Sequence, residues 1–269
     1  MSTTAYRYPH EHLILALTLL LVLAVIAVTV TATVCTSGLF IIAFVALSFY
    51  LGRSHHQALL KTARRVTSQV MPGPARILQQ GISRLQPGEV EVYIAPSQAL
   101  NAYTFGLTSP KVVVLYSALF EVMDEDEVLF ILGHELGHVA LGHTWLNSLI
   151  GGVAGIPSSW GAGAILTMAF LWWNRACELS ADRAGLLACG KLDKAVTALI
   201  KLVAGPEANN RLGMEVAYRQ IDAEDDTLLG NLGEALGTHP MLIRRIQELR
   251  KYAASAQYQR LQERLTRNG

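Results

Sequence analysis

The sequence predicts a mainly α fold with a small β-sheet, placed behind two membrane-spanning helices. Residues 13–52 contain no charged residue and no histidine, which predicts the membrane segment. Three short stretches between residues 89 and 117 have the pattern of β-strands. After residue 117 the apolar positions follow an almost entirely helical spacing. A length of 269 residues allows one or two domains, and a net charge of +1 gives no indication of a nucleic-acid partner.

The uncharged run is 40 residues long. Because one spanning helix needs about 20 apolar residues, we expect a hairpin of two helices with its turn near residues 31–38. A cleaved signal peptide is the alternative. It fits less well, because Arg7 is the only lysine or arginine ahead of a run that far exceeds the usual apolar length of about 7–15 residues. Residues 1–12 would form an N-terminal tail.

The distribution of lysine and arginine predicts the orientation of the hairpin. The turn contains no basic residue, whereas five follow the second span: Arg53, Lys61, Arg64, Arg65 and Arg76. Because cytoplasmic loops carry the excess of positive charge, both ends of the hairpin are expected in the cytoplasm, together with the rest of the chain. If only one span formed, the remainder of the chain would lie outside.

The segment that follows, residues 53–73, has the pattern of a basic amphipathic connector helix that ends at MPGP. Residues 74–269 are expected to form one domain, which begins with a helix over residues 75–85. The strands of its small sheet are predicted at residues 89–96, 101–106 and 111–117.

One later helix carries the sequence ILGHELGHVALGH, residues 131–143. Asp124 is its expected N-cap, and Glu127, three residues later, completes a capping box. His134 and His138 are four residues apart, so they point from one face of the helix. Two imidazoles in this arrangement can bind one zinc ion.

Glu135 follows the first of these histidines and is placed to take a proton from a zinc-bound water as general base. The alternative interpretation is a pair of buried, hydrogen-bonded histidines beside a capping glutamate. Gly133 and Gly137 argue against it. Each glycine costs a helix interior about 1 kcal/mol and therefore indicates close approach of another backbone or a ligand.

A catalytic zinc usually has three protein ligands and one open position. The best candidate for the third ligand is Glu178, 40 residues after His138. Asp182 lies four residues further on the same predicted helical face and can hold a ligand histidine by its second ring nitrogen. His143 is the rival ligand. Its helical rotation from His138, about 500°, turns it off the metal face, so we interpret it as structural or interfacial.

Several separate motifs carry a resemblance to a known family. They are NAYTFG from residue 101, PKVVVLYSALFEVMDEDEVLFILGHELGHV from 110, NRACELSAD from 174 and THPMLIRRI from 238. Across residues 100–250 the chain resembles the membrane-anchored zinc peptidases of the HtpX and CAAX-prenyl-protease type, in the gluzincin group. The resemblance implies a zincin-like metallopeptidase domain. It also implies a zinc endopeptidase that acts on membrane-associated or misfolded proteins in protein quality control. We expect this enzyme in the cell inner membrane.

The same resemblance implies roles for individual residues. One Zn²⁺ would be bound by His134, His138 and Glu178, with Glu135 as the base. The substrate channel would be lined by the strand that contains Asn101, Ala102 and Tyr103. The residue facing the metal from the THP motif would be His239, and the scaffold arginines would be Arg175 and Arg245. NAYTFG departs from the family's usual NAFA-G pattern.

Physical chemistry suggests how two of these features would act. An edge strand over residues 101–106 can hold an extended peptide by backbone pairing. His239 can donate a hydrogen bond to the developing oxyanion. The alternative for His239 is a structural residue ahead of Pro240, without a catalytic role.

Three other functions are alternatives to the endopeptidase. The CAAX-processing branch needs many more apolar segments for its large chamber. A non-catalytic, zinc-stabilised adaptor or chaperone domain would not require Glu135. A signal-anchored periplasmic or extracytoplasmic protease is a variant in topology. The expected partners are polypeptide substrates and the lipid bilayer, with no nucleic acid.

Residues 146–173 form a second uncharged stretch, rich in glycine and divided by Pro157. Each arm has about a dozen residues, too short to cross a hydrocarbon core of about 30 Å. Two interpretations remain open. One is a helical hairpin buried in the core of the domain. The other is a hairpin whose Trp160 end enters the cytoplasmic leaflet, with Trp172 and Trp173 at the interface.

Overall fold

The computed structural model of the chain describes residues 5–32, 36–145, 161–204 and 240–267. The mainly helical architecture with a small sheet is confirmed. The helices in these ranges are α1 (Glu11–Ala32), α2 (Thr36–Leu60), α3 (Pro72–Leu85), α4 (Ala118–Val122), α5 (Glu125–Leu141), α6 (Gly161–Cys189), α7 (Leu192–Ala204), α8 (Pro240–Ala253) and α9 (Ala256–Arg267). The strands are β1 (Arg64–Arg65), β2 (Val90–Ala95), β3 (Ala102–Phe105) and β4 (Lys111–Tyr116).

The sheet has four strands in the order β1-β2-β4-β3. β2 runs parallel to β4, and β3 is antiparallel to β4. The central strand β4 buries three consecutive residues, Val113, Val114 and Leu115, as expected for a strand that is covered on both faces. All three predicted strands are present, and β3 lies at an edge of the sheet, as the sequence indicated.

The expected connector helix over residues 53–73 is wrong beyond Leu60, where α2 ends. The chain instead forms β1, which pairs with β2 and places Arg65 3.0 Å from Glu91. The backbone N–H of Val66 also donates to the carbonyl oxygen of Val92 at 2.8 Å. Pairing with β2 thus gives residues 64–66 the backbone hydrogen bonds that they would otherwise make within a helix. This tertiary contact outweighs the local helical preference of the segment.

One helix among the described residues is long and apolar enough to cross a membrane. It is α1, in which Glu11–Val28 has a mean hydropathy of 2.6. The residues expected to form the second span lie in α2, and residues 33–35 of the expected turn lie outside the described residues. The two-span topology remains a prediction.

The expected tail, residues 1–12, is corrected for its described part. From residue 5 onward the chain packs into the domain, with Tyr6 and Glu11 buried. The backbone N–H of Tyr8 donates to the Ser180 hydroxyl at 2.7 Å, and Arg183 donates to the carbonyl of Arg7 at 3.2 Å. Buried apolar and polar contacts together fix a segment that has no periodic pattern of its own.

α5 lies at the centre of the molecule and is buried from Glu127 to Gly137. The predicted capping box is present. The Asp124 side chain accepts from the backbone N–H of Glu127, and the Glu127 side chain accepts from that of Asp124. Gly142 ends the helix in the left-handed conformation, with φ of 78°.

The contact between α5 and α6 depends on glycine. A Cβ at Gly133 would lie 2.4 Å from the Cβ of Ala188, and one at Gly137 would lie 2.6 Å from the Cβ of Ala184. On the facing helix, a Cβ at Gly185 would lie 2.7 Å from the carbonyl oxygen of Phe130. The expected close approach of another backbone to these two α5 glycines is confirmed, and it fixes the spacing of the helices that carry the histidines and Glu178.

The second uncharged stretch is only partly described, because residues 146–160 lie outside the described ranges. Residues 161–173 do not form a separate short arm. They are the first half of α6, a continuous helix of 29 residues. Phe170 and Trp173 pack against α1, while Met168 and Trp172 on the same half are exposed.

Candidate active site

α5 and α6 bring the three expected metal ligands together. The Nε2 atoms of His134 and His138 are 3.2 Å apart, and each lies 3.5 Å from a carboxylate oxygen of Glu178. A tetrahedral zinc with bonds of about 2.0–2.2 Å separates its ligand atoms by about 3.4 Å. Two imidazoles and one carboxylate at these separations could therefore hold a single zinc ion.

The outer nitrogen of His134 contacts a carboxylate. Its Nδ1 is 3.0 Å from Oδ1 of Asp182. Arg245 of α8 donates to both oxygens of that carboxylate, at 2.7 and 2.6 Å, and its Nη1 lies 3.3 Å from Glu178. The structure thus gives Arg245 a direct contact with both acidic residues, while the role of Arg175 on α6 remains a prediction.

The electrostatics of this cluster stabilise positive charge between the carboxylates. Burial raises the pKa of Glu178 and of Asp182, but Arg245 and His134 outweigh it and hold both pKa values below the usual range. Burial lowers the pKa of His134, but the hydrogen bonds to Asp182 and Glu178 prevail and raise that pKa to about 10. Because a zinc ligand must be deprotonated, a metal ion bound here would replace this proton.

His143 lies behind His138 and not on the metal face. After Gly142 the chain turns back, so that the backbone N–H of His143 donates to the carbonyl of His138 at 3.0 Å. The Nδ1 atoms of the two imidazoles are 2.9 Å apart. On its other side, Nε2 of His143 is 3.1 Å from Oε1 of Glu11. Burial lowers the pKa of His143 to about 4, so its imidazole is neutral near pH 7.

Glu135 is held by the edge strand. The hydroxyl of Thr104 in β3 donates to Oε2 of Glu135 at 2.6 Å, and it lies 3.3 Å from the carbonyl oxygen of the same residue. The strand expected to bind substrate therefore also contacts the expected general base. Our prediction stopped at Tyr103 and missed Thr104, which stands where the family's NAFA-G pattern has alanine.

The ligand set, Glu135 and the edge strand share one cavity of about 270 Å³. Asn101, Ala102 and Tyr103 line it, as does Arg245. His239, the expected oxyanion donor, lies outside the described residues, so its position remains a prediction.

The sequence profile of peptidase family M48 matches residues 75–253, which contain the ligand set, Glu135 and β3. The chain belongs to peptidase family M48. This agrees with the resemblance found in the sequence motifs.

Relatives in this family include the plastoglobule-localized metallopeptidase 48 of Arabidopsis thaliana. It is 29% identical over 192 residues, which cover 66% of this chain and 56% of the relative. The uncharacterized metalloprotease YhfN of Bacillus subtilis is 26% identical, over 61% of this chain and 43% of the relative. Protease HtpX of Acinetobacter baumannii is 29% identical, over 59% of this chain and 64% of the relative. The chain spans about half the length of the first two relatives.

Besides Thr104, two polar residues around the M48 site were missed by sequence reasoning. They are Glu11 and Ser180, which contact each other at the start of α1. The signal for Glu11 was an acidic residue two positions ahead of a long uncharged run. A carboxylate that such a run buries needs a polar partner. Ser180 gave no signal, because a serine within a helix is more often solvated or bonded locally.

Proposed function

We propose that this chain is a zinc-dependent endopeptidase that hydrolyses membrane-associated or misfolded polypeptides, with Glu135 as the general base. The observation that carries the proposal is the position of Glu135. Its carboxylate lines the same cavity as His134, His138 and Glu178, yet it stands apart from the ligand group those three residues form. A domain that used zinc only for stability would not need this carboxylate.

In this proposal His134, His138 and Glu178 hold the zinc ion. When bound, the ion supplies Lewis acidity, which polarises a carbonyl and acidifies water. Glu135 accepts the proton of the attacking water and transfers it to the leaving amine. Thr104 restricts rotation of the Glu135 carboxylate through the 2.6 Å hydrogen bond to Oε2, and a positioned carboxylate is what general-base catalysis requires.

Arg245 has a supporting role. A buried carboxylate is costly unless it is paired, and the guanidinium group contacts both Glu178 and Asp182. It therefore keeps the ligand Glu178 ionised and fixes the carboxylate that orients His134.

The substrate would bind along β3. Within the described residues this strand pairs with β4 alone, so its other edge can accept an extended peptide through backbone hydrogen bonds. Asn101, Ala102 and Tyr103 would then lie beside the peptide, close to Glu135. His239 would supply the hydrogen bond to the developing oxyanion.

The position of α1 supports membrane-associated substrates. The candidate span begins at Glu11, whose carboxylate lies 3.1 Å from His143 and thus beside the site. The membrane surface would lie close to the cavity, with the exposed Met168 and Trp172 of α6 entering the cytoplasmic leaflet.

The inner membrane and a cytoplasmic catalytic domain are part of the proposal. The cytoplasmic orientation rests on the five basic residues that follow the second expected span. A reporter fused after Gly269 is expected to be active in the cytoplasm. Export of that reporter would overturn both the orientation and the two-span topology.

The test of the proposed function is Glu135→Gln in the full chain, purified in detergent. We expect one zinc per chain to be retained, because this residue is not a ligand. Hydrolysis of an unfolded protein should fall by at least about 100-fold, the usual contribution of a general base. Glu121→Gln, an exposed residue on α4, is the matched control and should keep full activity.

Glu178→Ala in the same assay should lose zinc on dialysis, which separates binding from proton transfer. Near-normal turnover by Glu135→Gln would overturn the general-base assignment. Unchanged zinc content in Glu178→Ala would show that another residue is the third ligand.

A further inference from the structure

The two candidate ligand histidines differ in the group that contacts Nδ1, the ring nitrogen that points away from the metal site. Nδ1 of His134 contacts the Asp182 carboxylate directly at 3.0 Å. Nδ1 of His138 instead lies 2.9 Å from the Nδ1 of a second imidazole, His143, which is buried. A metal-ligating histidine usually donates its other N–H to a carboxylate, a carbonyl or water, so the arrangement behind His138 requires an explanation.

The number of N–H protons on the two imidazoles explains this arrangement. Two Nδ1 atoms at hydrogen-bond distance need one proton between them, and a neutral imidazole has only one N–H. His138 faces the ligand set with Nε2, so its proton is on Nδ1 and His143 accepts. The single proton of His143 is then on Nε2, which lies 3.1 Å from Oε1 of Glu11. The hydrogen bonds therefore run in one direction, from His138 through His143 to the Glu11 carboxylate.

Glu11 is itself held from three directions. Ser180 of α6 donates to its Oε2, and the Arg7 guanidinium pairs with its Oε1. Arg7 also donates to the carbonyl of Leu141, at the end of α5, at 3.1 Å. Only 3% of Glu11 is exposed, so its charge must be compensated by these partners. The carboxylate is thus fixed relative to both helices that carry the metal ligands.

We propose that Glu11, in the first turn of α1, is a positioning residue for the metal ligand His138 and acts through His143. The role is that of Asp182 toward His134, with one imidazole inserted between carboxylate and ligand. The proposal rests on the zinc site proposed above. It adds that the helix beginning at Glu11, the candidate membrane span, takes part in building that site and does more than anchor it.

The test measures zinc affinity of the full chain in detergent, by competition with a chromophoric chelator. Removal of an outer partner of a metal ligand typically weakens metal binding about 10–100-fold, and we expect this range for Glu11→Ala and for His143→Ala. Glu11→Gln should lose less, because its amide oxygen can still accept from Nε2 of His143. Ser180→Ala, which removes a partner of Glu11 outside the chain of imidazoles, is the control and should lose least.

A double-mutant cycle distinguishes positioning from a general structural role. If Glu11 acts through His143, the double variant Glu11→Ala/His143→Ala should bind zinc no more weakly than His143→Ala alone. Additive losses would overturn the proposal. The absorption spectrum of the cobalt-substituted protein gives a second readout, and Glu11→Gln should change it because the donor strength of His138 changes.

Failure of this proposal is distinguishable from failure of the zinc site. If the unaltered chain bound no zinc, the proposed function itself would be wrong. If the unaltered chain binds zinc, and both Glu11→Ala and Glu11→Gln bind zinc as tightly as the unaltered chain does, only the role of Glu11 is wrong. Thermal unfolding of the metal-free variants identifies any that fail to fold, and Glu11→Gln, which conserves shape, then provides the decisive affinity.

Discussion

The two halves of α6 belong to one continuous helix but lie in different surroundings. From Ala176 to Cys189 the helix is enclosed by protein, with Ala181, Ala184 and Leu187 fully buried. Between Met168 and Arg175 it packs against α1 on one side through Phe170 and Trp173, while Met168 is 64% exposed and Trp172 is 46% exposed. The first half therefore has a side that water or lipid can reach. The buried cluster that it forms with α1 extends to Cys177, next to Glu178.

The difference shows where the candidate active site lies within the fold. The candidate metal ligand Glu178 lies at the change from one environment to the other, so its helix is held in the domain core on one side of the candidate site. On the other side, Thr18 of α1 donates to the carbonyl of Ala169 at 3.3 Å. The position of Glu178 therefore depends on two kinds of packing. One is the dense core around the second half of α6, and the other is the contact of the first half with α1, the candidate membrane span.

The largest expected effect is in the enclosed half. Gly137→Val places a side chain where even a Cβ would lie 2.6 Å from Ala184, so α5 and α6 must move apart. We expect the free energy of unfolding to fall by at least about 2 kcal/mol and zinc retention to fall with it. Thermal unfolding and metal content of the purified variant are the measurements.

Gly73→Val in α3 is the matched control, since a Cβ there meets nothing within 4 Å. It should change the free energy of unfolding by less than about 1 kcal/mol. Wild-type stability of Gly137→Val would mean that the helix contact is less tight than its geometry indicates.

A smaller effect is expected in the half beside α1. If this half enters the bilayer, a cysteine in Met168→Cys should react slowly with a water-soluble maleimide in vesicles. Apolar surroundings raise the pKa of a thiol, and each unit lowers the reactive thiolate fraction about tenfold. We therefore expect labelling at least about ten times slower than at an aqueous site, with little change in stability.

Val70→Cys is the control, because Val70 is an equally exposed apolar residue, 60% exposed, outside both candidate spans. Equal labelling rates at the two positions would show that the first half of α6 faces water. The comparison uses the full chain, since removal of the first 53 residues would also remove the buried Tyr6 and Glu11.

Local sequence patterns were sufficient for part of this architecture. Three such patterns involve neighbouring residues: the capping box at Asp124, the alternation of glutamate and valine over residues 89–92, and the four-residue spacing of His134 and His138. Glu178 could be predicted because a catalytic zinc requires a third ligand, and few acidic residues stand on a suitable helix. Gly133 and Gly137 likewise indicated a close approach of another backbone or a ligand, because each glycine destabilises a helix interior.

The remaining features depend on contacts between distant residues. The connector helix failed because β2 provides backbone partners for residues 64–66. The rotation assigned to His143 assumed a continuous helix, whereas Gly142 ends it and brings the imidazole back to His138. Glu11 is 132 residues from His143, and no local pattern records such a pairing.

The short length of β3 has a consequence for which proteins could be cleaved. The strand has four residues, and Lys111 occupies the carbonyl groups of Gly106 and Leu107 just beyond it, at 2.7 Å each. A peptide paired along β3 would be extended over about 14 Å. A folded protein rarely offers such a segment unless it opens locally, so susceptibility to cleavage would follow the free energy of local opening in the target. Selection of damaged proteins would then require no recognition sequence, because an unstable target exposes the extended segment more often than a stable one.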